Sequence, residues 1–448
     1  MIFMKKMFVD PLVLLLIAIV CGLNCQSQKP DYGVSERYFV EIKSDTLIPE
    51  IEFSDDAQEE QKQEERKQYN RRQIRREIRT KLPNANIPDR NILTNIVAGA
   101  IMDLSDEEVR VLESDGKFVV KKDFKMQGRP IQQGRPIQQG ENFDPDTVLY
   151  DAIKKTSKGV SLIGGPQTKH PRTMVWILDS GIDRGHADLG LALGNSIGMS
   201  KSFIQNDPFN DLTGHGTHLA GIVGGMANAG STGMNGLAPG IPIVSLQVLD
   251  SSGSGNWIDV LSALEHAAGY LLKPRRNIHD IILMSFGAEV VNGSCESYLP
   301  TLRDVIYRLA QRSNGTNKNS IVMSAGNCIG CPDVLNASMR NFPGCLGRRQ
   351  SNHGFSNIYT VTASGFDMER ITGCYEGAYL GENSWYIAPG RMVFSTLPGN
   401  SYGIMSGTSM AAAMTAGALA ASGRAIPPGQ NQTMTCSDNN RYNVVRLK

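Results

Sequence analysis

Met174-Val175-Trp176-Ile177-Leu178-Asp179-Ser180-Gly181 is the stretch on which the fold turns: an unbroken apolar run that stops at a carboxylate and a glycine. The same pattern recurs at residues 243–249, 281–284, 321–323 and 359–361, each run ending near a Gly-rich turn. Helix-like stretches lie between several of them, over 215–225 and 257–272. Continuous apolar strands alternating with helices predict an α/β fold: three layers around a mostly parallel central sheet, covered on both faces. In such sheets function gathers at the carboxyl ends of the strands, so Asp179 stands where chemistry is expected.

Three further stretches supply groups that complement that carboxylate. They are His215-Gly216-Thr217-His218, Ser324-Ala325-Gly326-Asn327 and Gly407-Thr408-Ser409-Met410-Ala411. A serine hydroxyl is a poor nucleophile near neutral pH. It needs a base to take its proton, an acid to orient that base, and donors for the oxyanion that forms. Asp179 can hold an imidazole in one tautomer. His215 opens a helix-like segment between two glycines. Ser409 precedes an Ala-rich helical stretch whose N-terminus favours negative charge, so its own backbone N–H can serve as a donor. Asn327 offers a second donor through its side-chain amide.

Each group alone has a plainer reading. Asp179-Ser-Gly is a strand-ending turn, His215 a helix cap, Gly407-Thr-Ser a loop and Asn327 a left-handed turn residue. His218 is read as a packing or capping residue beside His215. The four together, in order and with matching surroundings, are what point to catalysis.

At this point the chain resembles the subtilisin family of serine proteases, whose catalytic order is Asp, His, Ser. The likeness covers roughly residues 170–425. It includes Gln247-Val-Leu-Asp-Ser-Ser-Gly-Ser-Gly255, Met284-Ser-Phe-Gly287, Ile387-Ala-Pro-Gly390, Ser395-Thr-Leu-Pro-Gly399 and Tyr402-Gly403. The resemblance implies that Ser409 attacks the scissile carbonyl, His215 moves the proton and Asp179 orients His215. It implies an oxyanion hole from Asn327 and the Ser409 amide. Gly253, Ser254 and Gly255, with Ser285, Phe286 and Gly287, would bracket an extended substrate by strand addition, and Gly326 would line the pocket before the cut. Glycine suits edges that a foreign backbone approaches closely.

The family usually carries a proline near the start of the nucleophile's helix, where this chain has Ala413. Its usual last helices are not evident after Pro427-Pro428-Gly429. No cofactor is needed for the chemistry. The resemblance does imply structural calcium at Asp188, with the loop 227–236 as the other ligand source, although Gly230 stands where an Asn ligand is expected. The alternative for Asp188 is a cap or an ion pair.

The N-terminal third reads as a separate α+β unit. Lys5 and Lys6 precede an apolar run over 12–20, so residues 1–25 are read as a secretion signal, too short for a stable membrane span. RYFVEI at 37–42 is a strand, the charged stretch 55–81 a solvated helix, and Ser105 with Glu108 a capping box before Val109 and Leu112. Residues 26–127 resemble the inhibitory propeptide of subtilases. The exact repeat Gly-Arg-Pro-Ile-Gln-Gln at 128 and 134 makes 128–146 a linker, since Gly and Pro at this density break helices and strands. The catalytic domain then spans 147–448.

The totals agree with an exported globular enzyme. The chain has 448 residues, a net charge of +1 and 41% hydrophobic residues. That charge gives no reason to expect a nucleic-acid partner. Six of the eight cysteines lie in the second half, among four sequons at Asn292, Asn314, Asn336 and Asn431. Six cysteines permit 15 pairings. Cys328-x-x-Cys331 alternatively reads as half a zinc site, but nothing nearby completes one. The expectation is a secreted, monomeric endopeptidase made as a zymogen, acting on proteins or peptides and held by its own propeptide. Two rivals stand beside it: a catalytically silent relative, and an esterase, which would usually carry a G-x-S-x-G elbow.

Overall fold

The computed structural model describes residues 37–43, 57–128, 131–138, 149–194, 196–204, 206–211, 213–228, 233–271, 279–290, 294–311, 313–314, 317–327, 340–347, 357–366, 370–374, 386–423, 433–436 and 441–447. The signal-like segment, Cys328, Cys331 and the sequons Asn292, Asn336 and Asn431 lie outside them. Asn314 falls in a short hairpin, Ser313–Asn314 with Asn317–Lys318. Among the described residues, no helix is long and apolar enough to cross a membrane.

The N-terminal unit is a four-stranded antiparallel sheet under two helices. Its elements are β1 (Arg37–Ile42), α1 (Ala57–Lys81), β2 (Ile92–Leu93), β3 (Gly99–Asp103), α2 (Asp106–Glu113) and β4 (Phe118–Lys122), with strand order β2-β3-β1-β4. α1 is almost wholly polar, yet Ile74 and Ile78, one turn apart, reach the core that holds Val40, Leu112 and Phe118. The capping box starts α2 as expected: Glu108 N donates to Ser105 Oγ at 3.3 Å, and Ser105 N to Glu108 Oε2 at 2.8 Å.

The next two strands leave this sheet. β5 (Lys125–Gln127) and β6 (Ile131–Gln138) each pair with the rest of the molecule. β6 corrects the expectation that the repeat would carry no strand. An edge strand asks little of proline, and the pairing register shifts between Tyr402 and Ile404, opposite Gly134, Arg135 and Pro136.

The larger elements that follow, with the short strands that bear on the site, are β7 (Thr173–Asp179), α3 (His215–Gly224), β8 (Ile243–Gln247), β9 (Ser254–Asn256), α4 (Trp257–Leu271), β10 (His279–Met284), α5 (Pro300–Gln311), β11 (Ser320–Ser324), β12 (Ile358–Phe366), β13 (Tyr386–Pro389), β14 (Val393–Leu397), β15 (Ser401–Ser406), α6 (Thr408–Ser422), β16 (Thr433–Thr435) and β17 (Arg441–Val444). The central sheet runs β8-β7-β10-β11-β12-β13-β17-β16, with Lys201–Ser202 outside β8. All these pairs are parallel except β16 with β17.

Alternation along each strand makes the three layers. Val175 and Ile177 enter one core with Leu219 of α3 and Met410 of α6, while Trp176 and Leu178 enter the other with Leu261 of α4 and Leu302 of α5. β10 repeats the split, with Ile281 and Leu283 on one side and Ile282 and Met284 on the other. The N-terminal unit covers the α4 side, where Phe39, Leu93, Ile96, Val97 and Met126 join the same core as Trp257.

After α6 the described residues form two strands, β16 and β17. β17 extends the sheet beside β13, and the Cys374–Cys436 disulfide ties this edge together. Leu447 N donates to Ile163 O at 2.7 Å. A second disulfide joins Cys295 and Cys345.

Candidate active site

Strand register gathers the site. Leu178 of β7 is level with Met284 of β10, so Asp179 and Ser285 emerge side by side at the carboxyl edge. β11 ends there too, at Ser324, three residues before Asn327. α3 begins at His215, and its ring nitrogen Nδ1 lies 2.8 Å from Asp179 Oδ1. The two side chains are 2% and 1% exposed, so their attraction is not diluted by water. α3 fits this tightly because residue 216 is glycine: a Cβ there would stand 2.1 Å from the carbonyl oxygen of Gly181.

Burial alone would lower the pKa of His215. The charge and hydrogen bond of Asp179, with Asp211 behind, instead hold it above its ordinary value. His218 sits one turn on, pushed down to about 3 by burial and by His215. Its Nε2 meets the carbonyls of Val393 and Gly403 at 3.0 and 3.3 Å. It is therefore a neutral packing residue, as expected.

Ser409 occupies the first turn of α6, buried to 2% exposure, and its hydroxyl donates to Ser285 O at 3.4 Å. That bond is long and weak. His215 Nε2 is buried and makes no hydrogen bond, leaving an acceptor ready for a proton. Catalytic contacts of this kind commonly tighten when substrate arrives. Asn327 is locked to the nucleophile's turn: Thr408 N donates to its Oδ1 at 2.9 Å, and a Cβ on Gly407 would stand 2.9 Å from its Nδ2. Gly326 N donates to Thr408 Oγ1 at 3.1 Å, which ties that glycine to the same turn.

The two edges expected to hold substrate are paired with the chain itself. β5 runs antiparallel to β9, with Gln127 opposite Ser254 and Met126 opposite Gly255. On its other side Gln127 exchanges both backbone hydrogen bonds with Gly287 at 2.9 Å, and Gly128 N donates to Gly253 O at 2.8 Å. Gly253 shows why glycine is needed. Its φ is +72°, and a Cβ would stand 2.7 Å from Gly128 O. Phe286 is buried in the core beneath, and Met126 is 0% exposed. β6 then pairs with β15, from Ile131 at Ser406 to Gln138 at Ser401, along the strand that leads into Ser409. The described tail thus pairs first with the edges at Ser254–Asn256 and Gly287, then with the strand that leads into Ser409.

Asp188 does not fit the expected calcium role. Its oxygens accept from Asn228 N at 2.8 Å, Met234 N at 2.7 Å and Tyr402 OH at 2.8 Å. These are hydrogen donors, whereas a hard cation needs a shell of oxygen acceptors. Among the described residues, no group of three or more His, Cys, Asp or Glu could hold a metal. The carboxylate acts as a cap that fastens the loop after α3.

Sequence reasoning missed two acidic residues. Asp211, buried behind His215, is a lone Asp in a loop with no pattern to mark it. Glu265 of α4 turns toward the N-terminal unit and accepts from Thr94 N at 2.6 Å, Ile96 N at 2.8 Å and Asn95 N. A carboxylate among apolar helix positions was the only available signal.

Comparison with known proteins agrees with this geometry. Residues 171–436 match the model of the subtilase family. Subtilisin DY of Bacillus licheniformis is 31% identical over 253 residues, 56% of this chain and 77% of that protein. Thermitase of Thermoactinomyces vulgaris is 31% identical over 253 residues, 55% and 75% of the two chains. Subtilisin E of Bacillus subtilis (strain 168) is 28% identical over 284 residues, 62% of this chain and 63% of the relative. With a family match over more than half its length, on a parallel sheet of this topology, the chain belongs to the subtilase family of serine proteases.

Proposed function

We propose that this subtilase is a secreted endopeptidase made as an autoinhibited zymogen. Residues 1–25 direct export, 26–127 form the inhibitory propeptide, 128–146 link it to the protease and 147–448 form the catalytic domain. The observation that carries this reading is the tail of the N-terminal unit, laid as a strand between β9 and Gly287 beside Ser409. A peptide held in extended form at that place is what a peptidase requires of its substrate.

In this mechanism Ser409 Oγ attacks the carbonyl carbon of the bound peptide while its proton passes to His215 Nε2. Asp179 holds the ring by Nδ1 and stabilises the imidazolium. Negative charge moves to the former carbonyl oxygen, where the Ser409 N–H and the Asn327 amide receive it. Collapse breaks the C–N bond, His215 protonates the leaving amine, and an acyl-enzyme remains. Water repeats the sequence and frees Ser409. Gly253, Ser254, Gly255, Ser285, Phe286, Gly287 and Gly326 position the chain being cut. The sequons at Asn292, Asn314, Asn336 and Asn431 carry glycans in the secretory pathway, and the enzyme works as a monomer.

Ser409→Ala tests the assignment. The variant stays uncut, hydrolyses neither peptide amide nor ester, and is not labelled by a fluorophosphonate. Hydrolysis at the wild-type rate would refute the role of Ser409. Turnover of simple esters without peptide amides by the wild type would refute the peptidase reading.

A further inference from the structure

We propose that Asp211 is a positioning residue for the catalytic pair: it draws the Ser180 hydroxyl away from Asp179, so that Asp179 Oδ1 keeps His215 and the Ser180 backbone N–H as its partners. The inference rests on the catalytic roles given above and adds a residue to them.

The geometry around Asp211 is unusually complete for a loop residue. Its Oδ1 accepts from Ser180 Oγ at 2.8 Å, Gly214 N at 2.9 Å and Thr213 N at 3.2 Å. Its Oδ2 accepts from Thr217 N at 2.8 Å and Thr217 Oγ1 at 2.7 Å. The side chain is 5% exposed. Burial pushes its carboxyl up, against the pull of Thr217 and Ser180. Three backbone N–H groups donate to its two oxygens and favour the carboxylate form against that push.

Ser180 is the link. Its hydroxyl has one proton and two acceptors, Asp211 Oδ1 at 2.8 Å and Asp179 Oδ1 at 3.1 Å. Thr213 Oγ1 and Gly216 N donate to the same Ser180 oxygen at 2.7 and 3.1 Å, which fixes its place. Asp179 Oδ1 is also the atom 2.8 Å from His215 Nδ1. A proton from Ser180 on that oxygen would compete with the imidazole. Asp211 wins it by the shorter bond. Asp211 also fastens Gly214 N and Thr217 N around the first turn of α3, so the helix that carries His215 starts at a fixed angle. The ionisable groups that face His215 are Asp179 on β7, Asp211 in the preceding loop and His218 on its own helix.

The test reads the titration of His215 by NMR in the full chain carrying Ser409→Ala, where no turnover is needed. Adding Asp211→Asn lowers the His215 midpoint by about half a unit or more, because a charge is lost and Ser180 turns to Asp179. Adding Ser180→Ala alone leaves it within about 0.1 unit, because the hydroxyl was already turned to Asp211. The double variant falls between them. In the active enzyme, Asp211→Asn lowers kcat about tenfold with little change in KM, and its acid limb moves to lower pH. An unchanged midpoint in Asp211→Asn, or no recovery when Ser180→Ala is added to it, overturns the inference. If Asp211→Asn does not fold, Ser180→Ala decides alone: a midpoint raised by about 0.3 unit, or lowered, overturns it. An inactive wild type would sink the catalytic reading instead, and the NMR midpoints would still report on Asp211.

Discussion

Replacing Glu265 by Gln should release the N-terminal unit from the protease without touching the chemistry. The carboxylate of Glu265 receives three consecutive backbone N–H groups, those of Thr94, Asn95 and Ile96. It lies on α4, remote from His215 and Ser409, and the loop it holds belongs to the N-terminal unit. Gln keeps one carbonyl oxygen but turns an NH2 group toward these donors. One to two charge-assisted bonds are lost, each worth about 1.5–3 kcal/mol. About 3 kcal/mol in total corresponds to roughly 150-fold weaker docking. The free protease pays little for the change, since Glu265 is then solvated. The assay supplies segment 37–127 in trans to the processed enzyme and measures the inhibition constant with a short peptide substrate. Glu265→Gln should raise that constant about a hundredfold while leaving kcat/KM of the uninhibited enzyme unchanged. A rise of less than about threefold would show that the helix-facing loop, not this carboxylate, carries the docking.

Three further outcomes follow from the same contacts. Asp123 and Asp259 share the single guanidinium of Arg37, and burial pushes Asp123 up to about 6. A pKa raised on docking means that docking takes up a proton, so its contribution is full near pH 4 and is lost as pH rises through 6. Thermal unfolding of the Ser409→Ala chain should therefore show the N-terminal unit held more firmly at pH 5 than at 7.5, and Asp123→Asn should flatten that slope; a firmer unit at 7.5 refutes the sign. Tyr402→Phe removes the phenol from the Asp188 carboxylate and should cost about 2 kcal/mol of stability, read by denaturant melts, while a chelator leaves the wild-type curve in place; a large chelator effect would contradict the donor-only account of Asp188. Met126→Ala empties a fully buried site between β9 and α4 and should weaken inhibition by the tail by about 2–3 kcal/mol in the same trans assay; an unchanged inhibition constant would mean that backbone pairing alone holds β5.

The parallel sheet was legible because strands buried on both faces leave unbroken apolar runs, as at Met174–Leu178, each closed by a Gly-rich turn. The catalytic groups were legible because each lies beside small residues that a sharp turn demands, as Gly214 and Gly216 do for His215. Asp211 and Glu265 escaped notice for a shared reason: their partners are backbone amides, which every residue has. The strand β6 was misjudged because Gly and Pro were weighed as breakers without knowing that β15 offered an edge that tolerates them. Asp188 was half legible. Its position matched a ligand loop, but only the fold reveals that Tyr402 turns its O–H, as a proton donor, onto the carboxylate.

The Cys374–Cys436 bond spans 62 positions, and the closed loop it makes contains β13, β14, β15, α6 and Ser409 itself. A protease working among its own copies is liable to be nicked. A single nick inside this loop leaves the nucleophile's segment covalently attached at both ends of the break, so damage there need not mean loss of the part. Reducing agents should thus shorten the working life of the nicked enzyme far more than that of the intact one.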